Sequence, residues 1–459
     1  SHDLRGRGIL RCFMMNKNKD YLITEKPSRA LFAFALPMII GNLFQQAYTI
    51  VDSAIVGHYV GETALAAVGA SYALTSIFIC VAIGGGIGAS VIISQHFGAH
   101  AYSRMKTSIR TAMLSFLLIS LLLGGIGLCF SRQIMEALNT PADAMDIAVI
   151  YLNIYFYGLP FLFMYNILSS MFNALGESRI PLYLLIFSSV LNIFLDLYMV
   201  ATLHLGVAGA AYATFIAQGI SAVCSFLIFL HTLRRLDGKA ETWFSKAEFS
   251  SMSRIALPSI LQQSTVSIGM MLVQSVVNGF GTQILAGFSA GMRIESLCVV
   301  PMAAIGNALS SYTAQNIGAE KHERISLGYR TANIMVAITA VILCLFLELL
   351  HRPLIALFLD GAPSAQTIAT GEGYLRFIGF FFCMIGFKMA IDGILRGAGA
   401  VKVFTIANLV NLGLRVLIAK LGAPVYGIAM IWYAVPLGWL ANFLISYGYY
   451  RTGKWKQIK

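Results

Sequence analysis

The chain has 459 residues, 58% of them hydrophobic and 11% charged, with a net charge of +12. Soluble domains carry about 25% charged residues, so a water-soluble globule is excluded and lipid is the solvent this composition fits. The basic excess would suit nucleic acid, but it falls in the loops of one face, where it sets membrane topology instead.

The opening stretch Ser1 to Met14 differs in character from the remainder of the chain, making Met14 or Met15 a candidate biological start. The first apolar run, from about Ala30 to Val56, is too long for a signal-peptide core of roughly 7 to 15 residues, and no cleavage site comes after it. Non-alternating apolar runs of about 20 residues cross a bilayer as helices and disfavour a β-barrel. Hydropathy places twelve, at 30–56, 64–92, 108–130, 147–173, 181–201, 206–230, 252–278, 284–312, 328–350, 371–396, 402–420 and 425–449, with edges good to about four residues. The long polar connector divides the chain into a cytoplasmic amino-terminal segment (1–29), an amino-terminal six-helix lobe (30–230), a cytoplasmic connector (231–251), a carboxyl-terminal six-helix lobe (252–450) and a cytoplasmic tail (451–459). Arg104, Lys106, Arg110, Arg179, the connector cations, Lys321, Arg324, Arg330, Arg396, Lys402 and the tail lysines share one face. The opposite loops hold only Arg132, Arg352 and Lys420, so both termini are expected in the cytoplasm of a plasma-membrane protein. Trp243 and Trp455 are expected near the headgroups.

The sequence is written twice. Ala35-Leu36-Pro37 returns as Ala256-Leu257-Pro258, and Gln95-His96-Phe97-Gly98-Ala99 returns as Gln315-Asn316-Ile317-Gly318-Ala319. Arg104 and Arg110-Thr111-Ala112 then match Arg324 and Arg330-Thr331-Ala332 in register. Six spans per half in the same orientation make an all-α membrane protein of two lobes related by a parallel pseudo-two-fold repeat. Such repeats place a substrate site between lobes that alternate, so transport is the leading reading.

Polar groups inside spans cost enough to be functional candidates. In span one Asn42, Gln45, Gln46, Thr49, Asp52 and Ser53 recur at steps of three and four, which puts them on one helical face; helix packing alone does not need the carboxylate. Span five carries Ser188, Ser189, Asn192 and Asp196 on one face, and Thr214 in span six offers a hydroxyl to the same cluster. Two nearby carboxylates share a proton or bind a cation, and an oxygen-only set suits sodium without excluding a proton. The second half is not a copy: Asp52 falls on Val273, Gln262 and Gln263 keep a polar face in span seven, and Arg415 stands opposite Asp196. Glu295 is a further candidate because Arg293 points to another face, whereas Lys388 and Asp392 read as a self-neutralising pair. Pro37, Pro160, Pro258, Pro301 and Pro436 are expected to kink their helices. Gly84-Gly85-Gly86-Ile87-Gly88 lies inside an apolar helix with no strand before it, so it reads as close helix packing rather than a phosphate loop. His96 and His100 lack a third ligand and read as residues of the basic face. The cysteines in apolar stretches (Cys80, Cys129, Cys224, Cys298, Cys344, Cys383) have no ligand spacing and read as packing residues.

Val51 to Gly57, Gln95 to Ala99, Ala174 to Leu182, Leu191 to Asp196, Gly209 to Thr214, Arg293-Ile294-Glu295 and Gln315 to Ala319 together resemble the multidrug and toxic compound extrusion (MATE) family of the flippase-like exporter superfamily, over essentially everything from Pro27 on. The resemblance implies twelve helices in a V of two lobes, exporting organic cations in exchange for sodium or protons. It also implies a cation site at Asp52, Asn192, Asp196 and Thr214. One branch carries a Glu in helix seven where this chain has Gln262 and Gln263, which places coupling in the first lobe. Substrate-cavity candidates are Asn42, Gln45, Gln46, Thr49, Gln262, Gln263, Glu295 and Arg415. No cofactor, nucleic acid or catalytic set is expected, and the reading is of a monomer in the bilayer acting on small organic cations. The rival within the superfamily is a lipid-linked precursor flippase, whose anionic substrate would favour a cavity lined with Arg and Lys.

Overall fold

A computed structural model describes residues 20–60, 62–138, 140, 142, 144–359 and 364–457. The amino-terminal residues 1–19, with the candidate start at Met14 or Met15, lie outside the described residues. After a one-turn helix, Tyr21–Thr24, the chain runs through α1 (Pro27–Val60), α2 (Glu62–Gly98), α3 (Tyr102–Ala137), α4 (Met145–Ala174), α5 (Arg179–Asp196) and α6 (Gly206–Arg234). The second half holds α7 (Lys246–Asn278), α8 (Thr282–Gly318), α9 (His322–Leu357), a two-segment α10 (Ala365–Gly379 and Phe382–Gly397), α11 (Val401–Tyr426) and α12 (Ala429–Arg451). Eleven of these cross a membrane by length and composition, and the segments of α10, bent by 52°, form a twelfth.

The helices outrun their apolar stretches. α3 begins at Tyr102 and α9 ends at Leu357, beyond the expected 108 and 350, because hydropathy ends at the membrane surface while backbone hydrogen bonding continues through polar turns. The boundary expected between 420 and 425 lies instead at Gly427, whose φ of 78° lets its N–H cap Ala423 O at 2.9 Å. Span ten is not one straight helix. Its bend at Gly379-Phe380-Phe381 contains no proline and arises from a tightened turn, Phe381 N donating to Ile378 O at 2.9 Å.

The glycine run packs as expected. A Cβ on Gly84 or Gly88 would strike the backbone of Ile260 or Ala256 in α7, while Gly85 and Gly86 face Phe116 and Ser170. α2 is therefore wedged between α7 of the other lobe and its own α3 and α4. The repeat is visible as reciprocal contacts between the lobes at the basic end. Gly98 lies against the Gln315 carbonyl and Gly318 against that of Gln95. Gln95 Nε2 donates to Gly397 O (3.2 Å), and Gln315 Nε2 donates to the equivalent Ala174 O (2.8 Å). His100 and its repeat partner Glu320 adopt matching left-handed conformations, φ 55° and 57°.

Two segments lock this end. Asn316, Lys321 and Arg324 donate to the carbonyls of Leu22, Ile23 and Glu25, and Leu31, Phe34 and Ala35 of α1 join the core of the carboxyl lobe. The connector is laced along α3, with Lys106 Nζ on Leu236 O and Gly238 O and the N–H groups of Glu241 and Ser245 on Thr107 and Thr111. Ser245 caps α7, and Glu248 receives His96 (2.9 Å), Arg104 (2.7 Å) and Ser108 (2.8 Å). Trp243 is exposed. Trp455 is buried, its indole donating to Tyr450 O and its ring stacked on Tyr450, so the tail folds back onto the lobe instead of reaching the headgroups.

Candidate functional site

The polar stripe of α1 and that of α5 face each other because each repeats at i, i+4. Tyr48 and Asp52 lie one turn apart on α1, as do Asn192 and Asp196 on α5, so two cross-helix pairs form. The Asp52 and Asp196 carboxyl groups are neighbours that interact electrostatically. The Asn192 amide is ordered by its neighbours. With Nδ2 towards Asp196 Oδ2 (2.8 Å) and Tyr48 Oη (2.5 Å), its Oδ1 accepts from Thr214 Oγ1 (3.3 Å) and Thr214 N (3.0 Å); the opposite orientation would set Nδ2 against the Thr214 N–H. α6 thus supplies the third wall. Asp196 and Asn192 are buried, while Asp52 is half-buried.

The structure therefore brings together Asp52, Asn192, Asp196 and Thr214, and adds Tyr48. That residue was missed because tyrosine counts as apolar in a hydropathy reading, although its i−4 spacing from Asp52 was visible. One oxygen of each carboxyl group, Oδ1 of Asp52 and Oδ1 of Asp196, is buried without a partner. A shared proton or a bound cation would each relieve the repulsion of two such carboxylates, so the arrangement is suited to taking up positive charge. The set is all oxygen apart from the amide nitrogen, the chemistry of a hard cation. Immediately after Asp196 the helix widens into a π turn, Leu197–Thr202, with Leu203 N on Tyr198 O at 3.0 Å. Such turns recur at functional sites, and nothing in the sequence marked this one.

Beside the cluster is a cavity of about 390 Å³ lined by Asn42, Gln45, Tyr48, Asn192, Thr214 and Gln218, among others; Asp52 and Asp196 lie behind Tyr48 and Asn192 and do not line it. Asn42 and Gln45 face it as expected. Gln46 and Thr49 do not line it, and Thr49 spends its hydroxyl on Gln45 O, because a stripe covering steps of both three and four is wider than the cavity. Gln218 is a lining residue the sequence reading passed over as a lone polar group in span six.

Gln262, Glu295 and Arg415 fall elsewhere, around a cavity of about 160 Å³ in the carboxyl lobe, and Gln263 lines neither. There Tyr374 donates to buried Glu295, while Arg293 is exposed on another face. Lys388 pairs with Asp392 at 2.8 Å and donates to Asn408 at 3.0 Å, a neutralised pair. Arg415 Nε is buried without a hydrogen-bond partner. In this lobe Glu295 has Arg415 near it and Asp392 has Lys388 and Arg396, whereas the Asp52–Asp196 pair has no cation beside it among the described residues.

The sequence profile of a family described as MatE matches residues 37–198 and 258–421. The probable multidrug resistance protein YpnP of Bacillus subtilis is 30% identical over 434 residues, 94% of this chain and 96% of that protein. A protein of Shewanella oneidensis named as an FAD transporter is 23% identical, covering 92% and 94% of the two chains. Among solved structures, the outward-facing conformation of a multidrug resistance MATE family transporter of the MOP superfamily superposes with a TM-score of 0.89 at 22% identity, covering 97% of this chain and 100% of that one.

Proposed function

Since this chain belongs to the MatE family of multidrug efflux transporters, we propose that it is a cation-coupled antiporter, driven by sodium or protons, which exports organic and mostly cationic compounds by alternating access. The observation that carries this reading is the Asp52–Asp196 pair, set behind Asn192, Thr214 and Tyr48, which do line the amino-lobe cavity, with an unpartnered oxygen on each acid. An incoming sodium ion or proton and an outgoing organic cation compete for that charge, so occupation by one favours release of the other.

The lobe-to-lobe contacts through Gln95, Gln315, Gly98 and Gly318 all lie at the basic end. With the positive face in the cytoplasm, both termini and the connector are cytoplasmic and the lobes are closed on that side, the state that receives the coupling cation from outside. The reading is of a monomer in the plasma membrane. Export of a fluorescent cationic dye from reconstituted vesicles, under a sodium gradient alone and then a proton gradient alone, tests it: export under neither gradient, in a preparation that retains its fold, rejects coupling.

A second reading, a flippase of lipid-linked precursors or another anionic substrate, draws on Arg415 and Lys388 beside the smaller cavity and on the FAD transporter's similarity. Binding of a flavin nucleotide in place of a cationic dye would favour it.

A further inference from the structure

A large groove belongs to neither polar site. About 710 Å³ in volume, it runs between α3, α4 and α6, walled by Met113, Leu117, Phe161, Met164, Val223 and Phe226. Apolar side chains on the same helices, such as Leu118 of α3 and Leu227 of α6, are exposed. At its basic end the wall changes to Lys106, Arg110, Arg234 and Trp243. Lys106 is engaged by two connector carbonyls and senses Asp237. Arg110 and Arg234 are exposed and have no acidic partner among the described residues. The Arg110 guanidinium is held over the Trp243 ring at 4.8 Å, which fixes a cation at the depth where tryptophan marks the headgroup layer.

We infer that this groove is a binding site for an anionic phospholipid, its acyl chains between α3, α4 and α6 and its phosphate between Arg110 and Arg234. Charge complementarity selects the occupant. A neutral apolar guest would fill the groove but leave two arginines unused at its mouth, whereas a phosphodiester accepts bidentate hydrogen bonds from guanidinium, and basic pockets between membrane helices on this side recognise anionic headgroups. Trp243 sits in the connector, so a bound lipid also pins the segment joining the two lobes to α3.

The test uses the full-length protein reconstituted with phospholipids brominated on the acyl chain, which quench tryptophan at contact. The difference between wild type and Trp243→Phe isolates the Trp243 emission. Brominated phosphatidylglycerol should quench that component at a mole fraction roughly 25-fold lower than brominated phosphatidylcholine, about fivefold for each arginine. Arg110→Ala with Arg234→Ala should abolish the preference, and Arg110→Lys with Arg234→Lys should keep most of it, which separates lost charge from lost fold. Equal quenching by the two lipids in wild type would overturn the inference in favour of a non-selective apolar groove. Relief of quenching by millimolar inorganic phosphate would overturn it in favour of a free-anion site.

Discussion

Gly318→Ala is expected to open the basic end. The α-hydrogen of Gly318 faces the carbonyl of Gln95, and an added methyl would overlap that oxygen and lie 2.8 Å from its carbon and 3.0 Å from Ala99 N. The obstacle is helix backbone, and the Gln95 side chain is itself held by Gly397 O, so the neighbour has no rotamer by which to retreat. Overpacking of this kind costs about 1–3 kcal/mol. In the proposed alternation the clash falls on the closed state, and ~2 kcal/mol would lower the closed-to-open ratio about 30-fold. Gly98→Ala, which would meet the Gln315 carbonyl carbon at 2.7 Å, should act alike, and the two together less than additively because they share one interface. Pulsed electron resonance between spin labels at His231 and Glu323, in a background lacking the native cysteines, reads the population. Gly125→Ala, with nothing within 4 Å of the new carbon, should be silent. Unchanged distance distributions in both Gly98→Ala and Gly318→Ala would refute the reciprocal contact as a gate.

Asp52→Asn and Asp196→Asn should each abolish gradient-driven export while preserving insertion, because each removes charge and keeps shape; Asn192→Ala should weaken ion affinity roughly tenfold, as expected for one hydrogen bond to a charged group, and wild-type export by both acid variants would exclude the amino-lobe site. Tyr374→Phe leaves Glu295 short of its donor and should cost about 1.5–3 kcal/mol, read as a lower thermal midpoint with substrate affinity in the amino lobe unchanged. Lys388→Met should cost about 3–5 kcal/mol by stranding Asp392, and Lys388→Met with Asp392→Leu should recover most of it; a double variant no more stable than the single would mean the pair does more than neutralise itself. Cysteine introduced at Lys239 should resist membrane-impermeant reagents in intact cells while one at Gln366 reacts, and the reverse pattern would invert the topology.

Much of this protein was legible in its residues. Twelve apolar runs determined twelve helical spans, one of them broken into two segments, because in lipid a helix is the way a lone segment satisfies its own backbone. The repeated Gln95–Ala99 and Gln315–Ala319 segments announced two lobes, though not that the two segments would meet each other, and i, i+4 spacing alone put Asp196 beside Asn192 and aligned the polar face of α1. Edges were less legible, since hydropathy reports the membrane surface and the helices of this chain continue past it. The break in α10 had no proline to signal it, and the π turn after Asp196 had no composition to signal it either.

What sequence could not decide was who meets whom across helices. That Tyr48 closes the acid cluster, that Gln45 faces the cavity while Gln46 does not, and that Glu295 and Arg415 share a separate, smaller cavity with Gln262 all depend on helix rotation and on neighbours distant in the chain. The same holds for the basic end, where residues 22–25 and the connector are bound by groups from other helices. Periodicity fixes which residues share a face. The direction of that face is set by packing against other segments, through glycines such as Gly84 and Gly318 that let backbones approach, and that is information only the assembled lobes contain.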